Sequence, residues 1–346
     1  MNKVVLGFSG GVDSAVSAVL LQKAGYEVHG LYLDNTDEKT RLEAVEAAAR
    51  MGIELTVLDV RQELDEKVCT PFCESYLRGE TPNPCILCNP AVKFRALLAE
   101  ADRIGAEQVA TGHYARVENG MLYKGRPAND QSYMLCRLRQ EQVARVMLPL
   151  GRYEKKEVRA LAESFALPAA HKPDSMEICF VPDKDYVNWI AQRRALPGPG
   201  DFVLHGEVVG RHEGIFRYTV GQRKSGLIDG RKVYVSRIDP VHNTVELALW
   251  EELFKREVIA RDFNWLIDVP QAPIRASVRV RHTKWEEPKC TVTALPGGGV
   301  RIECDKPVRA PAPGQSAVLY DGERVLGGGF IADSKLKKQG PLGRAE

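Results

Sequence analysis

Two short segments hold residue types whose spacing could do chemistry. The first is Ser9-Gly10-Gly11-Val12-Asp13-Ser14, between the apolar run KVVLGF (3–8) and the helically spaced DSAVSAVLLQKA (13–24). Glycines let an anion approach the backbone, and the unpaired N–H groups and dipole of a helix start then hold a phosphate. Ser9 and Ser14 add hydroxyl donors. Asp13 would repel a phosphate, and makes sense if it caps the helix or holds a magnesium ion. The loop lacks the Gly-Lys-Ser/Thr ending of a Walker A loop and the G-x-G-x-x-G of a dinucleotide fold. The bland reading is a strand–turn–helix connection. At the first strand of a parallel sheet, beside its switch-point crevice, nucleotide binding is the favoured one.

The second segment is Thr81-Pro82-Asn83-Pro84-Cys85-Ile86-Leu87-Cys88-Asn89. Its two prolines argue against a regular helix. With Lys93 and Phe94 opening the next helix, Cys88 is expected in a stiff loop near a helix N-terminus, where a thiol pKa falls. A further candidate is Cys179, in DSMEICF (174–180). The others are Cys69, Cys73, Cys136, Cys290 and Cys304, and the default for any one cysteine is an inert buried hydrophobe. Three readings stay open at this point. Cys85 and Cys88 could bind zinc with Cys69 and Cys73, a loose match to zinc-ligand spacing; the thiols could be inert; or Cys88 and Cys179 could be catalytic, meeting only in the fold.

The rest of the chain must position these groups. Its 346 residues suffice for two or three domains of about 150 residues each. With 44% hydrophobic and 27% charged residues it reads as a globular protein. No apolar run approaches the roughly 20 residues of a membrane span. MNKVVLGFSGG passes into the glycine loop with no cleavage-type segment, so no signal peptide and a cytoplasmic location are expected. A disulfide framework is not expected there. With a net charge of +2, nucleic-acid binding must come from local clusters.

KVVLGF, EVHGLYL (27–33), ELTVLDV (54–60) and EQVATGH (107–113) read as strands, alternating with helices at 13–24, 38–51 and 93–105. That order predicts a doubly wound parallel α/β sheet. Residues 131–192 read as mostly helical, with breaks at Pro149, Pro168, Pro173 and Pro182. LPGPGDF (196–202) is a breaker, and the short strands after it predict two small antiparallel β domains split near 250–256. The tail DSKLKKQGPLGRAE is expected to be disordered.

In RASVRVR (275–281), alternation puts Arg275, Ser277, Arg279 and Arg281 on one strand face. That is either a phosphate-contacting stripe or a solvated outer face. His282, Lys284 and Trp285 follow, adding a stacking group. A second basic region holds Arg137, Arg139, Arg145, Arg152, Lys155, Lys156 and Arg159, which solvated helix charges largely explain.

Taken together, SGGVDS, TPNPCILCNPAVKF, ATGHYAR (110–116), NDQSYML (129–135), DSMEICF, GQRKSGL (221–227), APGQSAVLY and GGGFI resemble the tRNA-specific 2-thiouridylase (MnmA) family, over essentially the whole chain. The glycine loop resembles that of the N-type ATP pyrophosphatases. The resemblance implies a catalytic ATP pyrophosphatase domain over 1–196 (its helical tRNA-contacting part about 131–196), a small central β domain over 197–255, a C-terminal β-barrel over 256–334 and a flexible tail over 335–346. It implies ATP binding by Gly7, Phe8, Ser9, Gly10, Gly11, Val12, Asp13 and Ser14, with Leu33 and Gly112 lining the site. Cys88 matches the family's nucleophile and Cys179 its persulfide carrier.

By the same resemblance Asn83, Pro84 and Cys85 face the target base, while His113, Asn129, Asp130, Gln131, Arg281, His282 and Gln315 contact tRNA. The implied reaction is ATP-dependent 2-thiolation of the wobble uridine of lysine, glutamate and glutamine tRNAs, with Mg2+, a persulfide-donor protein and a monomeric enzyme. Cys85 departs from the pattern of many family members, in which an aspartate at that place is taken as acid or base; a thiol serves that role less well. Cys85, Cys88 and Cys179 could instead hold a [4Fe-4S] cluster through three thiolates, an alternative ranked just below the persulfide. Other readings are a synthetase-type ATP pyrophosphatase, needing no paired cysteines, and a zinc-stabilised RNA-binding module.

Overall fold

The computed structural model describes residues 2–35, 38–172, 178–181, 184–282 and 287–333. Pro173, Asp174–Glu177, Pro182, Lys284, Trp285 and the 335–346 tail of the sequence reading lie outside them.

Val4, Val5 and Leu6 are fully buried, as a central strand covered on both faces requires. Five parallel strands line up in the order Glu54–Asp59, Glu27–Asp34, Lys3–Gly7, Gln108–Ala110, Val146–Met147. Strand order reverses beside Lys3–Gly7, so the ligand crevice of such a sheet opens where that strand and Gln108–Ala110 end. The strand expected over 107–113 stops at Ala110 because Gly112 leaves the sheet to meet the first helix, Val12–Lys23. A Cβ on Gly112 would lie 2.9 Å from the Cβ of Asp13.

Residues 131–192 are less helical than their pattern suggests. Helices Ser132–Leu135, Gln140–Val143, Lys155–Ser164 and Tyr186–Ala191 are interrupted by the edge strand Val146–Met147. The helical run Arg61–Leu64, Asp65–Cys69, Thr70–Leu77 has no counterpart in the sequence reading.

Beyond residue 199, four strands form a sheet in the order Tyr234–Asp239, Thr244–Ala248, Gly200–Leu204, Glu207–His212. Gly200–Leu204, which starts within the expected breaker, pairs in parallel with Thr244–Ala248. Six further strands close a barrel because the twelve-residue Phe254–Trp265 pairs with Gly299–Arg309 on one side and Arg324–Ile331 on the other. The hairpin Ala115–Glu118/Met121–Lys124 leaves the nucleotide-binding half and joins the barrel sheet at Arg324.

That junction explains the arginine strand Ile274–Arg279, which is neither an open phosphate stripe nor a solvated face. Only Arg275 points outward, paired with Asp305. The Ser277 hydroxyl is buried and donates to the Tyr320 carbonyl at 3.3 Å. Arg279 donates to Asp130 at 2.8 Å, pairs with Glu287 and lies 5.1 Å from the Tyr320 ring centroid. The second basic region is also largely tied internally: Arg145 and Arg159 bond backbone carbonyls, and Lys155 reaches Asp13.

Asp130 and Arg279 have side chains only 5% and 15% exposed, so removing one strands the other in low dielectric. Arg279→Met should lower the unfolding free energy by about 3 kcal/mol, read as a fall in the urea midpoint. A loss under about 1 kcal/mol would mean the pair does not hold the barrel to its neighbour.

Candidate active site

The glycine loop has the geometry of a tight turn into a helix. Gly10 takes a φ of +72°, and a Cβ there would stand 3.0 Å from the Ala44 Cα, so only glycine fits. Gly11 is the helix N-cap with no side-chain cap, so helix-start N–H groups remain for a ligand. The Ser14 hydroxyl donates to the Gly11 carbonyl at 3.0 Å and lies 3.3 Å from the Ser9 hydroxyl. Phe8 and Val12 are buried beneath the loop, while Gly7 and Leu33 border it half-buried. Asp13 is not a cap, and its carboxylate is already engaged. It accepts from Lys155 Nζ at 2.8 and 2.9 Å and from the Tyr114 hydroxyl at 2.7 Å.

The cysteine segment corrects the expected stiff loop. Pro84 opens a helix, Pro84–Cys88, as proline can at a first helical position. The Asn83 side chain caps it, accepting from the Cys85 N–H at 3.2 Å. The run continues through Asn89–Lys93 into Phe94–Ile104. Pro90 cannot donate a helical hydrogen bond, and Asn89–Lys93 widens into a π turn in which the Phe94 N–H reaches back to Asn89. Cys88 therefore sits inside a helical run, and its pKa is not lowered. Desolvation pushes it up to about 11, against the opposing pull of Lys93.

Cys85 reaches solvent, yet the protein around it also raises its pKa, mainly by desolvation. Cys179 is exposed, and Asn35 Nδ2 lies 3.6 Å from its sulfur. Its neighbours Ile178 and Phe180 pack into the apolar cluster of Phe72, Trp189 and Val92, which Leu87 and Cys88 also border. A charge on Cys179 raises the pKa of both Cys85 and Cys88, so the three thiols share one electrostatic neighbourhood.

The zinc set Cys69, Cys73, Cys85 and Cys88 is not assembled among the described residues. Cys69 and Cys73 are 4% and 0% exposed within that apolar cluster, with the Cys69 thiol raised to about 12 by desolvation. Among the described residues no group of three His, Cys, Asp or Glu side chains is placed to hold a metal ion, Cys85, Cys88 and Cys179 included. Cys136, Cys290 and Cys304 are buried.

Of the remaining predicted residues, Gln315, Asp130 and His282 lie where the barrel meets the nucleotide-binding half. Gln315 donates to the Thr81 carbonyl at 2.9 Å, and the Thr81 N–H donates to Pro313 at 2.8 Å, pinning the start of the cysteine segment. His113 stacks on Phe94 with its Nδ1 2.7 Å from the Thr111 hydroxyl; desolvation holds it neutral. His282 meets the Tyr133 ring edge-on at 5.9 Å. Arg281 points inward, bonding the carbonyls of Val220 and Ala310. Asp130 is buried and accepts from the backbone of Gly125 and Ser132 as well as from Arg279. Asn129 and Gln131 bond Lys155 and Tyr114.

Along the sequence, profiles described as a tRNA methyl transferase HUP domain, a tRNA methyl transferase PRC-barrel domain and an aminomethyltransferase β-barrel domain match residues 2–183, 179–248 and 255–331. A Syntrophotalea carbinolica protein named tRNA-specific 2-thiouridylase MnmA is 40% identical, covering 95% of this chain and 98% of its own. Proteins of the same name from Pelotomaculum thermopropionicum and Clostridioides difficile are 43% and 40% identical, covering 95% and 96% of this chain and 97% and 98% of theirs. The chain belongs to the tRNA-specific 2-thiouridylase (MnmA) family.

In this MnmA-family chain, the sequence reading missed Lys93, taking it only for a helix start. The π turn brings Lys93 toward the face of Cys88, five residues back, where α-helical spacing would turn it away. Among the described residues Lys93 enters no ion pair, and its charge favours the thiolates of Cys85 and Cys88. Pro90 in front of a lysine was the available signal. Lys155 and Tyr114, which hold Asp13, left no local signal because they lie far along the chain.

A thiol raised to about 11 is protonated at neutral pH. Alkylation of Cys88 by iodoacetamide, followed by peptide mass spectrometry, should therefore accelerate without levelling from about pH 7 to 10. Lys93→Gln should slow it about 3- to 10-fold at a given pH. A plateau below about pH 8 would contradict the desolvated thiol.

Proposed function

We propose that this enzyme 2-thiolates the wobble uridine of lysine, glutamate and glutamine tRNAs in the cytoplasm, as a monomer, using ATP and sulfur from a persulfide-donor protein. The observation that supports the reading is a phosphate-type loop at the sheet's switch point, with Cys179 against Asn35 beyond the neighbouring strand and electrostatically linked to Cys88. Membership of a family whose relatives are named for tRNA 2-thiolation supports the substrate. The domain profiles carry methyl-transfer names, but two accessible thiols, Cys85 and Cys179, with the half-buried Cys88 suit sulfur transfer better.

The uracil oxygen is a poor leaving group. Attack of that oxygen on the ATP α-phosphorus expels pyrophosphate, and the helix-start N–H groups at Gly11–Asp13 favour the charge that develops. Magnesium enters with ATP on its phosphates. The terminal sulfur of a Cys179 persulfide then adds to the activated carbon and AMP leaves, so the base is joined to Cys179 through a disulfide. The Cys88 thiolate attacks the Cys179 sulfur, the S–S bond to the base breaks with its electron pair on the base sulfur, and thiouridine is released. The enzyme is left with a Cys88–Cys179 disulfide, which an external thiol reductant must reset. Lys93 favours the Cys88 thiolate in a region that otherwise keeps it protonated. Cys85 stands in place of the family's aspartate; with its raised pKa it is not assigned the proton transfer.

Single-turnover assays with persulfide-loaded protein separate the two halves. Cys88→Ala and Cys179→Ala should each lower thiouridine formation at least about a hundredfold while tRNA-dependent pyrophosphate release continues. Thiolation retained in Cys88→Ala removes Cys88 from the mechanism, and absence of pyrophosphate release from the wild type rules out the adenylation.

A further inference from the structure

Two hydrogen-bonded arms run from one short segment, residues 129–131, to a single carboxylate. On one side Gln131 clamps Tyr114 twice: its Oε1 accepts from the Tyr114 N–H at 2.9 Å, and its own N–H donates to the Tyr114 carbonyl at 2.8 Å. The Tyr114 hydroxyl then donates to Asp13 Oδ1 at 2.7 Å. On the other side Asn129 Oδ1 accepts from the Lys155 N–H at 3.0 Å, and Lys155 Nζ reaches both Asp13 oxygens at 2.8 and 2.9 Å. Between the arms, Asp130 is held by Arg279 of the barrel at 2.8 Å. The linkage is packed as well as bonded. Val12, Val16, Tyr114, Leu150 and Val158 form one buried cluster that joins the first helix to Lys155–Ser164. Gly112 passes close beneath Asp13, where an added Cβ would lie 2.9 Å from the Asp13 Cβ.

Asp13 sits in the first turn of the helix that the glycine loop feeds, so its orientation sets the charge beside the phosphate position. We propose that Lys155 and Tyr114 are positioning residues that couple tRNA binding to nucleotide binding, carrying the placement of residues 129–131 to the Asp13 carboxylate. The inference rests on the function proposed above and adds to it that the two substrates bind with linked affinities. On the tRNA contacts that the family resemblance implies for Asn129 and Gln131, a tRNA that shifts 129–131 shifts both arms and with them the Asp13 carboxylate beside the nucleotide. By linkage, the nucleotide improves tRNA affinity by the same factor.

The test is calorimetric, on the full chain. The affinity of Mg2+–α,β-methylene-ATP is measured with and without a saturating unmodified transcript of the glutamate tRNA. The wild type should bind the nucleotide about fivefold or more tighter with tRNA present. In Tyr114→Phe, which removes one hydroxyl, and in Lys155→Met, that ratio should fall to within about twofold of one, and Lys155→Arg should recover part of it. A merely structural role would weaken both affinities and leave the ratio intact, which overturns the proposal, as does a wild-type ratio of one with both ligands bound. Failure of the wild type to bind tRNA or the nucleotide at all sinks the proposed function, and the coupling with it.

Discussion

A strand buried on both faces must still end in the open, and the organisation of this protein follows from that constraint. Lys3–Gly7 is a central strand of a parallel sheet, with Val4, Val5 and Leu6 withdrawn from water. Its chain must leave at one end, where neighbouring connections diverge and no helix covers the crevice. Gly10, held at positive φ against Ala44, makes that exit tight enough for the next helix to begin at once. Two further groups come to that end: Asn35, just past the second strand and against Cys179, and Gly112, just past the fourth and against Asp13.

The barrel is part of this arrangement. It pins the approach to the cysteine segment through Gln315 and Thr81, and it holds Asp130 through Arg279. The Ala115–Lys124 hairpin extends the barrel sheet from the other side. Residues named as RNA contacts therefore also serve as joints between domains. A buried ion pair such as Arg279–Asp130 adds modest net stability, but it strongly disfavours arrangements that leave either charge unpaired, and so fixes the relative placement of barrel and sheet.

The thiols occupy the opposite electrostatic regime from the loop. Around Cys88 the apolar cluster disfavours charge, and Lys93 opposes that only in part. A protonated resting thiol is protected from adventitious oxidation, at a cost in nucleophilicity. Cys85, at the place where the family resemblance implies an aspartate in many members, is likewise raised.

The amino-acid sequence by itself determined the parallel sheet, the glycine loop and the β-rich second half, because period, turn residues and strand–helix alternation are local properties. It also singled out Cys88 and Cys179 through short motifs. It misread the state of Cys88: two prolines suggested a loop, whereas one proline starts a helix and Pro90 widens it. It could not tell that Arg279 and Asp130 face each other, that the supposed basic stripe is a domain joint, or that Lys155 and Tyr114 hold Asp13. Those facts depend on desolvation and on partners more than 100 residues apart, such as Tyr114 and Asp13 at a separation of 101. Periodicity carries no information about such pairs; only the folded chain decides them, since a charge takes its meaning from what surrounds it.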